Sequence, residues 1–267
     1  MTLASNETQL ASAVRVVLMR TTHPGNIGAV SRAMKNMGLN QLYLVNGADE
    51  TSQEARRRSA GAENILESAK VISSIDEALE GVHIVIGASA RSRKMVWPLM
   101  NPRDCASLVL DRVFDDQSSH PIKVALLFGQ EASGLSNEEL QRCHYHVNIP
   151  AAADFSSLNL AMAVQLVCYE IRMAMLLDKS GDAPHQLTSS ILSSDDDGWD
   201  EPPAAVEELE GFFKHLEETL IKIGFHNPDN PRLLMTRLRR LYQRSHLDKM
   251  EVNILRGILS AAQKHTK

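Results

Sequence analysis

The chain has 267 residues, of which 43% are hydrophobic but only 4% aromatic, so a sizeable core has to be built from aliphatic side chains. The net charge of −5 argues against a polyanion-binding protein, but the charge is unevenly distributed. Residues 1–177 carry −2 (16 basic, 18 acidic), residues 178–203 carry −6 (1 basic, 7 acidic) and residues 204–267 carry +3 (11 basic, 8 acidic).

The three cysteines are widely spaced and form no C-x-x-C pair, which excludes a disulfide framework and gives no metal-ligand pattern. Residues 1–13 lack the basic segment and apolar core of a secretory signal. No apolar run reaches the roughly 20 residues that span a bilayer without interruption by polar side chains. We therefore expect a cytoplasmic protein with no membrane segment and no metal.

In chain order, six short apolar runs predict strands, and helical stretches lie between most of them. The runs cover Val14–Met19, Gln41–Val45, 69–73, 83–87, 122–128 and 144–149. Asn101 before Pro102 predicts the start of a helix, and Ser136 with Glu139 predicts a capping box. This alternation favours an α/β fold in which helices cover both faces of a mostly parallel sheet.

The last third of the chain divides into three segments of different character. Residues 157–177 predict a helix that is apolar nearly all round, buried either in the core or against a second subunit. Residues 178–203 are acidic with few apolar side chains and predict a linker. Residues 204–267 predict a small domain of three amphipathic helices beginning near 206, 231 and 250, which leans on the main body.

Polar, glycine-bearing segments follow three of the predicted strands, at 23–28, 128–134 and 149–159. Because the carboxyl ends of parallel strands meet at one rim, these segments predict a small-molecule pocket lined largely by main-chain groups. A dinucleotide site of the G-x-G-x-x-G type fits poorly, since that glycine spacing is absent.

Four side chains in these segments are candidates for a site, and Arg32 and Glu131 each allow two interpretations. Arg32, on a helix predicted from Gly28 to Met37, is either solvated or contacts a phosphate. Glu131 either caps backbone N–H groups of its own loop or holds that loop around a cationic ligand. Asn159 and Ser157 are candidate N-caps of the long helix.

Basic clusters occur in three places and predict contacts with nucleic-acid phosphates to different degrees. Arg91, Arg93 and Lys94 follow a predicted strand. The tail helix carries Arg237, Arg239 and Arg240 with few acidic residues nearby. The run 56–58 is also all arginine, but nothing around it in the sequence marks a site.

The segments 26–32, 129–134 and 149–159 resemble the three motifs of the SPOUT RNA methyltransferases, and most closely the TrmJ type, which 2′-O-methylates tRNA. Each motif alone is weakly specific, but all three in this order are specific together. The resemblance implies a sheet domain over 1–177 that ends in a deep trefoil knot, a homodimer, and a tRNA-binding tail over 204–267. It also implies S-adenosylmethionine as the methyl donor.

The resemblance further implies functions for individual residues. Those implied to be catalytic are Arg32, Asn26 and Ser157. Those implied to bind the donor are Ala88, Ser89, Ala90, Gly129, Glu131, Gly134, Ile149, Ser156, Ser157, Leu158 and Asn159. The implied target is the 2′-hydroxyl of the pyrimidine at position 32 of tRNA, at the 5′ start of the anticodon loop.

Arginine hardly deprotonates in a protein, so we favour for Arg32 the positioning of the ribose-phosphate over general-base catalysis. Two other functions stay open. One is a 2′-O-methyltransferase of the same superfamily that acts on rRNA, and the C-terminal extension argues against it. The other is an RNA-binding protein without activity, against which the retained motif residues speak.

Overall fold

A computed structural model describes residues 3–89, 99–115, 121–152, 154–177 and 203–265. Its strands are β1 Val14–Met19, β2 Gln41–Val45, β3 Lys70–Ile72, β4 Ile84–Ala88, β5 Leu99–Met100, β6 Val124–Phe128 and β7 Tyr145–Val147. They form one sheet in the order β3-β2-β1-β6-β4-β7-β5, in which every neighbouring pair is parallel. The predicted α/β class and its six strands are confirmed, and the two-residue β5 is an addition.

Eight helices in the described part of 3–177 surround this sheet. They are α1 Leu3–Ala13, α2 Pro24–Asn36, α3 Gln53–Ser59, α4 Glu63–Glu67, α5 Ile75–Leu79, α6 Pro102–Val113, α7 Asn137–Gln141 and α8 Leu160–Leu177. One core packs the sheet against α2, α6 and α8, and a second packs its other face against α5 and α7. Because both faces are covered, all six residues of β1 are buried.

The predicted helix starts at Asn101 and Ser136 are both confirmed. The Asn101 side chain accepts hydrogen bonds from the backbone N–H groups of Arg103 and Asp104. Ser136 and Glu139 exchange the two hydrogen bonds of a capping box.

Helix α2 begins four residues earlier than predicted, so the expected start at Gly28 is wrong. Pro24 occupies the first helical turn, where its missing N–H costs nothing. His23 caps the helix, because its Nδ1 accepts a hydrogen bond from the backbone N–H of Gly25 at 3.0 Å. The first motif is therefore a helix start rather than a free loop.

Helix α8 has one buried and one exposed apolar face. The buried side chains are Leu160, Val164, Val167, Cys168, Ile171 and Met175. The exposed face includes Met162, Leu166 and Tyr169, which are 62%, 41% and 45% exposed. The helix is long and apolar enough to cross a membrane, but its inner face packs on α2 and α6 as core helices do. The core position is confirmed, while the second subunit and the knot stay predictions.

The tail contains three helices that pack on one another: α9 Val206–Lys222, α10 Leu234–Gln243 and α11 Lys249–His265. Their shared core includes Phe212, Phe213 and Val252. Helix α10 starts three residues after the predicted position at Pro231. Almost all of the predicted linker, 178–202, lies outside the described residues, and the division into domains stays a prediction.

The tail contacts the main body at places that include Val82 and Tyr145. The backbone N–H of Val206 donates to the carbonyl of Val82 at 2.9 Å, and the Val206 side chain joins the second core. The hydroxyl of Tyr145 in β7 lies 2.7 Å from Nε2 of His246, and the two rings stack. The predicted contact of the tail with the main body is confirmed.

Candidate functional site

The carboxyl ends of β1 and β6 bring the first two motifs together through one carboxylate. Glu131 accepts hydrogen bonds from the backbone N–H groups of Thr22 and His23 at 3.1 and 3.3 Å. It also accepts from Thr22 Oγ1 at 3.1 Å and from Asn26 Nδ2 at 2.9 Å. Capping of its own loop is one of the two interpretations of Glu131, and the backbone N–H of Glu131 does contribute to the lowered pKa of its carboxyl. The bonds to residues 22–26 are additional contacts that the sequence did not predict.

The third motif joins the same network through Asn159. Its Nδ2 donates to Asn26 Oδ1 at 3.1 Å, while its Oδ1 accepts from the backbone N–H of Ala161 at 2.9 Å. The second bond confirms Asn159 as a cap of α8. Asn26 is therefore held on both sides, by Glu131 and by Asn159, and the orientation of its side-chain amide is determined.

Glu131 carries its negative charge at neutral pH. Partial burial acts to raise the pKa of this carboxyl, but the hydrogen bonds from Asn26, Thr22 and His23 outweigh it and lower the pKa below its usual value. The rim therefore holds a fixed anion, which suits a ligand with a positive charge nearby.

The loop after β6 needs glycine at two positions. A Cβ on Gly129 would stand 2.0 Å from the carbonyl carbon of Gly134, closer than any real contact. Gly134 has φ +69°, a conformation that side chains disfavour, and its N–H donates to the carbonyl of Gln130 at 2.8 Å. The loop consequently turns tightly and presents main-chain groups at the rim.

The ends of β4 and β7 are tied together beside this loop. The N–H of Ser89 donates to the carbonyl of Val147 at 3.0 Å, and Asn148 Nδ2 donates to the carbonyl of Ser89 at 2.9 Å. Asn148 was not predicted as a site residue, although it directly precedes the third motif. Ala88 ends β4 and Ile149 packs against the core, whereas Ala90 lies outside the described residues.

Residues 156–159 lie at the surface just before α8. Ser156 and Ser157 are exposed, and Leu158 is half-buried. These side chains are therefore accessible to a ligand at the rim.

Arg32 is exposed on α2, one helical turn beyond Gly28. Within the described residues it forms no hydrogen bond or ion pair, so its guanidinium is available for a ligand. The basic residues predicted to contact RNA phosphates after β4, Arg91, Arg93 and Lys94, lie outside the described residues.

The tail arginines differ in their surroundings. Arg239 forms two hydrogen bonds to the Glu210 carboxylate, at 2.6 and 2.8 Å, and lies 4.5 Å over the Phe213 ring. The expected scarcity of acidic partners is therefore wrong for Arg239, because Glu210 comes from α9. Arg240 is half-buried, and Arg237 is exposed.

A crevice of about 300 Å³ lies at the ends of β1, β2 and β3, away from the predicted donor residues. It is lined in part by Arg20 and Glu139, which form an ion pair with Glu139 almost fully buried. Among the described residues, no group of three or more His, Cys, Asp and Glu side chains gathers to hold a metal.

Comparison with known families and proteins gives a consistent result. Residues 13–169 match the SpoU rRNA methylase family, and residues 207–267 match the C-terminal domain of the tRNA methyltransferase TrmJ. The chain is 48% identical to tRNA (cytidine/uridine/adenosine-2′-O-)-methyltransferase TrmJ of Pseudomonas aeruginosa, covering 94% of each chain. It is 43% identical to the cytidine/uridine TrmJ of Klebsiella pneumoniae, covering 95% of this chain and 98% of that protein.

Two crystal structures are similar over nearly the full length. TrmJ from Z. mobilis ZM4 superposes on this chain with a TM-score of 0.75 at 30% sequence identity, and the match covers 92% of this chain and 97% of the other. A probable methylase family protein from Haemophilus influenzae gives a TM-score of 0.58 at 42% identity, covering 94% and 96%.

Proposed function

This chain belongs to the SpoU methylase family, whose methyl donor is S-adenosylmethionine, and we propose that it methylates a 2′-hydroxyl of tRNA. The proposed target is the cytidine or uridine at position 32, at the 5′ start of the anticodon loop. The observation that carries this proposal is the hydrogen-bonded chain Glu131–Asn26–Asn159, which joins all three motifs at one rim next to the exposed Arg32.

The donor is proposed to bind at the loops after β4, β6 and β7. Gly129 and Gly134 shape the main chain there, and residues 149 and 156–159 are proposed to line the donor beside it. When bound, the donor supplies an electrophilic methyl group on a sulfonium. The Glu131 carboxylate favours that positive charge while it holds the start of α2 in place.

Arg32 is proposed to act on the RNA side of the reaction. A guanidinium stays protonated, so it can hold the ribose-phosphate and lower the pKa of the 2′-hydroxyl by its charge, but it cannot take the proton. Asn26, fixed on both sides, and Ser157, exposed at the rim, are proposed to orient the reacting ribose. In the transfer, the ribose oxygen would bond to the methyl carbon, the bond from that carbon to the donor sulfur would break to leave a neutral thioether, and the hydroxyl proton would pass to solvent water. Since this displacement needs an in-line approach of oxygen to carbon, positioning carries much of the rate.

The tail favours tRNA over rRNA as the substrate. It matches the C-terminal domain of a tRNA methyltransferase and carries a net charge of +3. The exposed Arg237 is the member of the predicted trio best placed to meet a phosphate, followed by the half-buried Arg240. Arg239 is proposed to hold the fold of the tail instead.

A homodimer is proposed to cover the exposed face of α8. Met162, Leu166 and Tyr169 are spaced by four and three residues, which places them on one stripe of the helix. A second copy of the chain would remove this apolar surface from water. The enzyme is proposed to work in the cytoplasm without a metal ion.

The direct test is methyl transfer from labelled S-adenosylmethionine to purified total tRNA or, in parallel, to ribosomal RNA. The proposal expects label in tRNA and only background in rRNA. Label confined to rRNA would show that rRNA, and not tRNA, is the substrate. Binding of tRNA with no methyl transfer to either RNA would indicate an RNA-binding protein without activity.

A further inference from the structure

The arginine run on α3 lies closer to the candidate site than its sequence surroundings suggest. Gly28 of α2 faces α3 so closely that a Cβ there would stand 2.0 Å from the carbonyl oxygen of Ala55 and 3.0 Å from Cβ of Arg58. The two helices therefore cross at the closest approach that glycine permits. Since Arg32 lies one turn beyond Gly28 on the same face, Arg58 is its neighbour on the surface.

One carboxylate fixes the direction of two of these arginines. Glu54 Oε1 accepts from Arg58 Nε at 3.2 Å, and Oε2 accepts from Arg57 Nη2 at 2.9 Å. The same Oε1 lies 3.1 Å from where a Cβ on Gly25 would stand. Glu54 therefore holds both guanidinium groups beside the first turn of α2, where the first motif begins.

The Arg58 guanidinium keeps its outer face open. Glu54 uses only its Nε, so both terminal nitrogens are without a partner within the described residues, and the side chain is 57% exposed. Two parallel N–H groups on a planar fork match the oxygens of a phosphate. Arg57 is 69% exposed and also pairs with Glu54, so two positive charges share one negative charge and the group keeps a net positive charge.

We propose that Arg58, supported by Arg57, binds the backbone phosphate of the tRNA that neighbours the nucleotide held by Arg32. Every ribose in a strand has a phosphate on either side, so a cation one helical turn from Arg32 is within reach of the adjoining phosphate. This inference rests on the proposed methylation of tRNA and extends the RNA-binding surface from α2 onto α3.

Arg56 provides a matched control on the same helix. It points the other way, since its Nε donates to the carbonyl of Thr51 at 3.2 Å and its Nη1 lies 4.0 Å from Glu67. Its side chain is 56% exposed, nearly the same as that of Arg58. Arg56→Ala and Arg58→Ala therefore each remove one positive charge from α3, but from different sides of the helix.

The experiment measures tRNA binding by the full-length wild type, Arg58→Ala, Arg58→Lys and Arg56→Ala over a range of salt concentrations. Arg58→Ala should weaken binding about fivefold, the size of one exposed charge contact, and reduce the slope of log affinity against log salt by about one. Arg58→Lys, which keeps the charge without the fork, should recover part of the loss. Arg56→Ala should change affinity less than twofold.

Equal losses for Arg56→Ala and Arg58→Ala, or no loss for either, would overturn the inference. Thermal melting and donor binding are measured alongside, and a loss of tRNA affinity in Arg58→Ala that tracks a lower melting temperature and recovers on cooling would also overturn it. Wild-type protein that methylates no tRNA would instead contradict the proposed function itself, so the two failures are distinguishable.

Discussion

Helices α2 and α10 both carry arginines that the sequence associates with RNA, but their surroundings differ. Arg32 on α2 is exposed and has no partner within the described residues. Arg239 on α10 is bound twice by Glu210 and covers the Phe213 ring. A count of arginines therefore overestimates a binding surface, because a guanidinium whose two terminal nitrogens already donate to an internal carboxylate, as in Arg239, is not available for a phosphate. This difference separates a candidate reactive region in the sheet domain from a structural pair in the tail.

Replacing Arg32 gives the largest expected effect on function. Arg32→Ala should lower methyl transfer at least a hundredfold, since a preorganised charge next to the reacting oxygen is lost. The affinity for S-adenosylmethionine should stay within about threefold, because Arg32 lies beside the donor loops rather than in them. Calorimetry and a transfer assay measure the two quantities.

Lys35→Ala is the control for that variant. Lys35 lies on the same side of α2, but its Nζ is already bound by the carbonyl of Gly61 and by Asn64 Oδ1, both at 2.7 Å. Near-normal turnover of Arg32→Ala, or an equal loss in Lys35→Ala, would contradict the assignment of Arg32.

Removing the negative charge of Glu210 in the tail should lower the stability of the fold but not the rate of methyl transfer. Glu210→Gln leaves Arg239 and Arg142, both mostly buried, without their shared counter-charge, and should cost about 2 to 3 kcal/mol of unfolding free energy. Denaturant unfolding with a tail-specific probe measures this loss. The turnover at low temperature should change little, and a loss of turnover without a loss of stability would refute the structural function of the pair.

The docking of the tail should weaken in acid. Burial, together with the nearby charge of Arg112, lowers the pKa of His246 to about 4 from 6.5. The pKa of His246 is lower in the folded protein than in the unfolded chain. Neutral His246 therefore contributes its full stabilisation of the folded state above pH 6.5, and this contribution declines as the pH falls toward 4. The contribution lost between pH 7 and pH 5 is about 2 kcal/mol.

His246→Asn tests this pH dependence. Asparagine tolerates the positive φ of +48° at this position and has no charge to gain. The variant should lose about 2 kcal/mol less than the wild type between pH 7 and pH 5, as measured by unfolding at each pH. Parallel pH profiles would show that His246 does not couple to folding.

A smaller effect is expected at Glu131. Glu131→Gln keeps the size of the side chain but replaces one acceptor oxygen by a donor, which faces N–H groups of Thr22, His23 and Asn26. Donor affinity should fall about tenfold, equal to one lost charge-assisted contact. Gln130→Glu, on the adjacent residue, is the control for a change of charge in the same loop.

Much of the fold could be predicted from the sequence because its signals are local. Apolar runs identified six strands, and the caps at Asn101 and Ser136 identified two helix starts. The start of α2 was misplaced because Gly25 and Gly28 suggested a loop, whereas Pro24 and His23 favour a helix. The strand Leu99–Met100 has two residues and therefore no periodicity to detect.

The contacts that define the site could not be predicted because they join distant parts of the chain. Asn26 meets Glu131 and Asn159 across separations of 105 and 133 residues. Arg239 meets Glu210 from another helix, 29 residues away. Hydrogen bonds at such separations follow from the packing of strands and helices, which no local pattern encodes.

The activity proposed for the rim of the sheet domain is the methylation of one ribose hydroxyl of tRNA. The most direct measurement is alkaline cleavage mapping of tRNA after incubation with the enzyme and S-adenosylmethionine, because a 2′-O-methylated ribose cannot attack its own phosphate. We expect one newly protected pyrimidine, at position 32, which appears with the wild type and not with Arg32→Ala. Methyl incorporation without protection, or protection at another position, would contradict it.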